Sequence, residues 1–230
     1  MEYQTDVLLY HNPLSCPQDV QDFILEGDAE VRFDRGRMRM QNRRDPKEGQ
    51  KANFVYWCPR YFPDRIKISW DFYPIREPGL CILFFAADTP QGQGLFSSGI
   101  APRTGEYPQY HHGDFNAFHV SYFRRKAEEE RAFHVCNLRK SYGFHLVAQG
   151  ADPLPSVEDV RPPYHIEVIK YDEFVCFKIQ GLTLFEYQDD GLLGPVLKGG
   201  YIGFRQMAPL VAEYADLKVE SLVKVGSSVF

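Results

Sequence analysis

Residues 66–73, IKISWDFY, decide the fold. Ile66, Ile68, Trp70 and Phe72 share one parity, and Lys67, Ser69, Asp71 and Tyr73 share the other. Side chains that alternate in this way belong to a β-strand with one face in a core and one in water. The period returns at Val175, Phe177 and Ile179, which alternate with Cys176 and Lys178; Gly181 then marks a turn, and 182–187 reads as the returning strand of a hairpin. Residues 201–206 and 211–222 read as further strands. The run 81–87, CILFFAA, is apolar on both parities, the mark of a central strand covered on both sides. Turn signals separate all these runs at short intervals, so the sequence predicts an all-β, two-sheet antiparallel jelly-roll sandwich. Helical pattern is confined to two short candidates, 17–25 and 125–131. The proline-rich stretch 150–163 reads as a surface loop, 224–230 as a frayed tail, and 1–230 as one sandwich domain.

Forty-four per cent hydrophobic and 15% aromatic residues supply a large core. Lys and Arg number 26 against 31 Asp and Glu, a net charge of −5, which offers no general attraction for nucleic acid or an acidic membrane. The basic segment 32–51 holds eight Lys or Arg against three acids, but Arg35, Arg37 and Arg39 alternate with Met38 and Met40, which reads as the wet face of an edge hairpin. No apolar run approaches the roughly 18 to 20 residues of a membrane-spanning helix. The start, MEYQTDVLLYHNPL, is acidic where a secretory signal would be basic, so the expected location is cytoplasmic. The five cysteines lie far apart without a C-x-x-C pair, and free thiols are expected.

The segments FVYWCPRYFPD, ISWDFYPI, PGLCILFFAA, GDFNAFHVSYFRRK, ERAFHVCNLRKSYGFHL and GADPLPS resemble the YesU-type bacterial family, a group without an established activity. The closing run 164–222 is similar to the last strands of the concanavalin A-like lectin and glucanase superfamily. The resemblance covers about residues 10–222. It implies a jelly roll whose concave face holds a saccharide, and an association with pectin-like, rhamnogalacturonan-type polysaccharide.

Retaining glucanases carry paired carboxylates at alternate positions of one strand. This sequence has no E-x-D-x-E array. Its polar groups concentrate instead in 114–145. Parity places His119, Ser121 and Arg125 opposite Phe118, Val120 and Tyr122, while Asn137 and Arg139 share parity with Phe133 and Val135, which calls for a bulge or a strand that leaves the core halfway. Arg can bind a sugar carboxylate bidentately, Asn and Ser can bond hydroxyls, and aromatic rings can stack on the sugar. For β-elimination, Arg125 would neutralise the carboxylate while His119 and Tyr73 supply base and acid. Trp57, Asp71, Ser121, Asn137, Arg139, His145 and Arg205 complete the candidate substrate contacts.

Two readings of this patch stay open. In one, it is a site for an acidic oligosaccharide, served by a lyase or atypical hydrolase or by a non-catalytic binding module. In the other, His119 is a hydrogen-bonded sandwich histidine and the arginines form a solvated rim. The pair His111-His112 and the turn Asp189-Asp190-Gly191 invite zinc and calcium readings, but each lacks the remaining ligands of its pattern; no metal or cofactor is expected.

Overall fold

The stretch 66–73 lies inside an eleven-residue strand, Ile66–Arg76, at the middle of an antiparallel sheet in the computed structural model, which describes residues 3–225. Fifteen strands form among the described residues. They are β1 (Tyr3–Asn12), β2 (Ile24–Glu26), β3 (Ala29–Asp34), β4 (Arg37–Asn42), β5 (Phe54–Phe62), β6 (Ile66–Arg76), β7 (Leu80–Asp88), β8 (Asn116–Tyr122), β9 (Val135–Ser141), β10 (His145–Ala151), β11 (Tyr164–Tyr171), β12 (Phe174–Ile179), β13 (Leu182–Gln188), β14 (Gly200–Met207) and β15 (Val211–Lys224). Sheet one runs β13-β12-β11-β6-β15-β4-β3, with β1 also paired to β15; sheet two runs β10-β9-β8-β7-β14-β5-β2.

The sheets pack face to face as a jelly-roll sandwich. Between them lie Ile66, Ile68, Trp70 and Phe72 of β6 and Val175, Phe177 and Ile179 of β12, each at most 5% exposed, opposite Leu83, Phe85, Phe118, Val120, Tyr122, Ile202 and Phe204 of sheet two. β7 is buried on both faces, as its double-parity composition requires, because Ile82 and Phe84 enter a second cluster outside sheet two. The β3–β4 hairpin stands at the edge of sheet one. Its two-residue turn puts Arg35 and Gly36 at φ 54° and 70°, the geometry whose twist matches antiparallel strands. Met38 and Met40 fill the core beneath it. All five cysteines are free thiols.

Several local expectations change. The segment 17–25 holds only a single-turn 3-10 helix, Pro17–Val20, before Ile24 and Leu25 join β2. The expected helix at 125–131 forms as α2, Glu128–Ala132, and a second short helix, α1, spans Pro108–His111. Gly150 and Ala151 belong to β10 rather than to the following loop. Lys224, assigned to the tail, pairs with Tyr3; residues 226–230 lie outside the described residues. No helix among the described residues is long and apolar enough to cross a membrane.

Candidate functional site

Strand register writes the site on the outer face of sheet two as two rows of side chains. The first row is Trp57, Gly203, Phe84, His119 and Arg139; the second is Val55, Arg205, Ile82, Ser121 and Asn137. Each row crosses β5, β14, β7, β8 and β9, so it is apolar at one end and polar at the other. Gly203 is needed for close approach, because a Cβ there would sit 2.5 Å from the Trp57 ring.

The apolar ends are roofed by the loop between β7 and β8, residues 89–115, which lays Phe96, Tyr110 and Phe115 against Trp57 and packs Leu95 and Tyr107 into the same cluster. A buried carboxylate latches it. Glu26 accepts from Arg103 Nη2 at 2.6 Å and Nε at 3.0 Å, from Trp57 Nε1 at 2.9 Å and from the Tyr110 hydroxyl at 2.8 Å. Both partners of the Glu26–Arg103 pair are more than nine-tenths buried.

Where the roof ends, the polar ends of the rows open into a cavity of about 210 Å³. Its floor and walls include Ser121, Asn137, Arg139, Arg124, Lys126, Glu130, Tyr107 and Phe144. Gln149 Nε2 donates to Asn137 Oδ1 at 2.7 Å; with the Asn137 carboxamide turned over, its oxygen instead accepts from Arg124 Nη1 at 2.9 Å and its amide donates to the Cys136 carbonyl at 3.2 Å. Arg139 stacks on Phe144, with Cζ 3.7 Å from the ring centroid, and donates from Nη1 to the Phe144 carbonyl at 2.8 Å. Glu130 is held by Arg124 Nη2 at 2.6 Å and by the backbone N–H groups of Lys126 and Ala127. Lys126 donates to the Ala208 carbonyl. Three cations thus line a cavity with one carboxylate, and a fourth, Arg205, lies beneath Tyr107.

His119 adjoins this cavity but is itself 1% exposed. Nδ1 is 2.8 Å from the Tyr107 hydroxyl, Nε2 is 3.0 Å from Ser141 Oγ, and Ser141 donates onward to the Gly143 carbonyl at 3.1 Å. Burial holds the imidazole well below its usual pKa, helped by Arg139, His111 and Arg205, so the ring is neutral. Burial pushes the Tyr107 phenol up to about 12, and it keeps its proton. The consistent arrangement is Tyr107 O–H donating to Nδ1 and Nε2–H donating to Ser141.

Five expected site residues lie elsewhere. Arg125 is fully buried, with Nη1 3.4 Å from Asp152 Oδ2, Nη2 2.6 Å from the Leu154 carbonyl and its guanidinium over Phe123. The parity count fails because β8 ends at Tyr122 and Phe123 turns into the left-handed region, φ 47°, which sends Tyr122 and Phe123 both inward. Arg124 takes the place expected of Arg125. Tyr73 and Asp71 do face out, but from sheet one, where Tyr73 carries Arg37 at 4.3 Å and Asp71 accepts from His165 Nδ1 at 3.0 Å. Trp57 is on the right face yet wholly under the roof. His145 is exposed and lines a different cavity with Tyr142 and Leu192. Of the two alternatives for 132–140, a bulge or a strand that leaves the core halfway, β9 shows no bulge against β8: the strand begins at Val135, and Phe133 stands 74% exposed before it.

Sequence reasoning missed Tyr107, Arg124, Lys126, Glu130 and Phe144. The run Arg124-Arg125-Lys126 was visible; which member turns toward the sheet face was not. His111 and His112 close α1 with their Nδ1 atoms in contact, and no three His, Cys, Asp or Glu converge as a metal site among the described residues.

The family described as Domain of unknown function (DUF1961) matches residues 7–219. The chain is 51% identical over 223 residues to the uncharacterized protein YesU of Bacillus subtilis (strain 168), covering 96% of this chain and 99% of that one. It superposes with TM-score 0.94 and 51% identity on a crystal structure of a protein of unknown function with galectin-like fold from Bacillus subtilis, covering 97% of this chain and all of that one. The Emp46p carbohydrate recognition domain in its potassium-bound form shares the fold at TM-score 0.60 and 11% identity, over 94% of this chain and 98% of that one.

Proposed function

The chain belongs to the DUF1961 family, and from that premise we propose that it binds acidic saccharides, seating one uronate residue of a pectin-type oligosaccharide between Arg124 and Arg139. The observation that carries this reading is the one-sided charge of the cavity: Arg124, Lys126 and Arg139 against Glu130, in a protein of net charge −5. A sugar carboxylate accepts from the guanidinium forks, of which Arg139 has committed only Nη1. Ser121 and Asn137 bond ring hydroxyls, and Phe144 and Tyr107 flank the apolar sugar face. The cavity is smaller than the roughly 300–1,000 Å³ of sites that enclose larger ligands, so it holds a single unit and leaves the rest of the chain outside. The carbohydrate recognition domain among the fold relatives is in keeping with a saccharide ligand.

Binding is favoured over turnover. Both His119 nitrogens are engaged, Glu130 is held by three donors, and Tyr107 keeps its proton, so no side chain here combines access with a basic lone pair near neutral pH. A glycan array carrying oligogalacturonides, rhamnogalacturonan fragments and neutral galactans tests the reading. The expected result is retention of the uronate glycans without formation of an ultraviolet-absorbing unsaturated uronate. Binding confined to neutral glycans would overturn it, and unsaturated product would convert it to a lyase with Tyr107 and His119 as the proton-handling pair.

A further inference from the structure

Arg205 is a fully buried guanidinium, and among the described residues no carboxylate pairs with it. Among the described residues its hydrogen-bond partners are Gln50 Oε1 at 3.1 Å and the Gly105 carbonyl at 3.2 Å, both neutral, and Nε and Nη1 have none. The Tyr107 ring packs over it, with its centroid 4.5 Å from Cζ. The other buried arginine pairs are arranged differently: Arg103 has Glu26 and Arg125 has Asp152.

Taking a cation out of water costs several kcal/mol unless an opposite charge repays it. Burial accordingly depresses the Arg205 pKa to about 10. Replacing a badly compensated buried charge with an apolar side chain of similar volume is often neutral or stabilising. A group that the fold carries at such a cost, within a row that leads into a cationic cavity, points to a role outside stability.

We propose that Arg205 is the positioning and specificity-determining residue of this cavity, holding Tyr107 as the wall between itself and the ligand and lending its uncompensated charge through that wall to select an anion. The inference rests on the reading of the cavity as an acidic-saccharide site. Gln50 reinforces the arrangement, because its carboxamide oxygen accepts both from Arg205 Nη2 and from the Tyr107 backbone N–H at 3.2 Å. Tyr107 is thereby fixed by its backbone, its ring face and its hydroxyl, the last through His119. The bound carboxylate supplies the counter-charge that the ligand-free fold lacks.

The test compares Arg205→Met and Arg205→Lys with the unsubstituted protein, measuring thermal unfolding and the ratio of affinities for digalacturonate and its methyl ester; the ester methyls are common to all three proteins, so a change in the ratio between them reports on charge. For Arg205→Met the account expects an unfolding midpoint at or above that of the parent, together with a fall of roughly tenfold in the acid-to-ester ratio, the size of a partly screened charge interaction. Arg205→Lys loses the planar contact with Tyr107 and, buried without a counter-charge, gives up its proton more readily than Arg, so its ratio should fall between those of the parent and Arg205→Met. A large loss of midpoint in Arg205→Met, or failure of that variant to fold, would make Arg205 a structural residue and overturn the inference; so would an unchanged ratio. If the parent itself shows no preference for the acid, it is the cavity reading that fails, whatever Arg205 does.

Discussion

His119 shows how one side chain can look like a general base in the sequence and be a load-carrying part of the wall in the fold. Its folded pKa is depressed by burial, so below about pH 6.5 the unfolded chain takes up a proton that the folded chain refuses. Stability is therefore full above that pH and is lost as the pH falls toward the folded value. His111, lowered to about 4 mainly by burial and half-open to water, adds a smaller contribution of the same sign. Unfolding free energies from denaturant titrations at pH 8 to pH 5 should stay level and then decline, at up to about 1.4 kcal/mol per pH unit for each histidine refused a proton; His119→Gln should flatten the decline. An undiminished slope in that variant would move the effect to other groups. Arg125 makes the opposite case, a residue expected to touch substrate that instead neutralises Asp152 in the interior. Arg125→Ala should cost about 3–5 kcal/mol by chemical denaturation, the penalty of orphaning a buried charge. The ligand affinity of the folded fraction should be unchanged.

Parity carried the sequence reading as far as the strands ran. It identified the core positions of β6 and β12 and the polar face of β8, because a half-buried strand cannot shift by one residue without turning its apolar side to water. It failed at Phe123, where the backbone leaves the strand region, and at Phe133, which precedes its strand. It also cannot say which sheet an outward face belongs to, so Asp71 and Tyr73 were grouped with residues across the sandwich. The loop 89–115 was opaque for another reason: Gly, Pro and Ser interrupt it and give no period, so Tyr107 and the Glu26 latch have no local signature. The rows of the site depend on Gly203 staying bare beneath Trp57. Gly203→Ala should destabilise the protein by about 1–3 kcal/mol as the indole is displaced, seen as a lower urea midpoint with unchanged m-value. A midpoint equal to the parent would mean that Trp57 has room to move.

At the scale of the whole molecule, one sheet stabilises and the other presents. Sheet one turns mixed and mutually paired charges outward, such as Lys67 with Glu167 and Glu220. Sheet two gathers cations at one end and hides its aromatic rows under a roof pinned to Glu26. Glu26→Gln should leave Arg103 buried and unpaired, cost about 3–5 kcal/mol, and speed amide hydrogen exchange across 89–115 ahead of the sheet strands. Uniform exchange across loop and sheet would show that the roof does not hang on that carboxylate. On the proposed function, the roof and rows frame a cavity selective for an anionic sugar. Calorimetric titration with digalacturonate and with its methyl ester compares ligands that share ring and hydroxyls but differ in charge and in the ester methyls. Loss of charge-assisted hydrogen bonds worth about 1.5–3 kcal/mol should weaken the ester roughly ten- to hundredfold, and Arg139→Ala should narrow the difference. Equal affinities for acid and ester in the unsubstituted protein would contradict the claim.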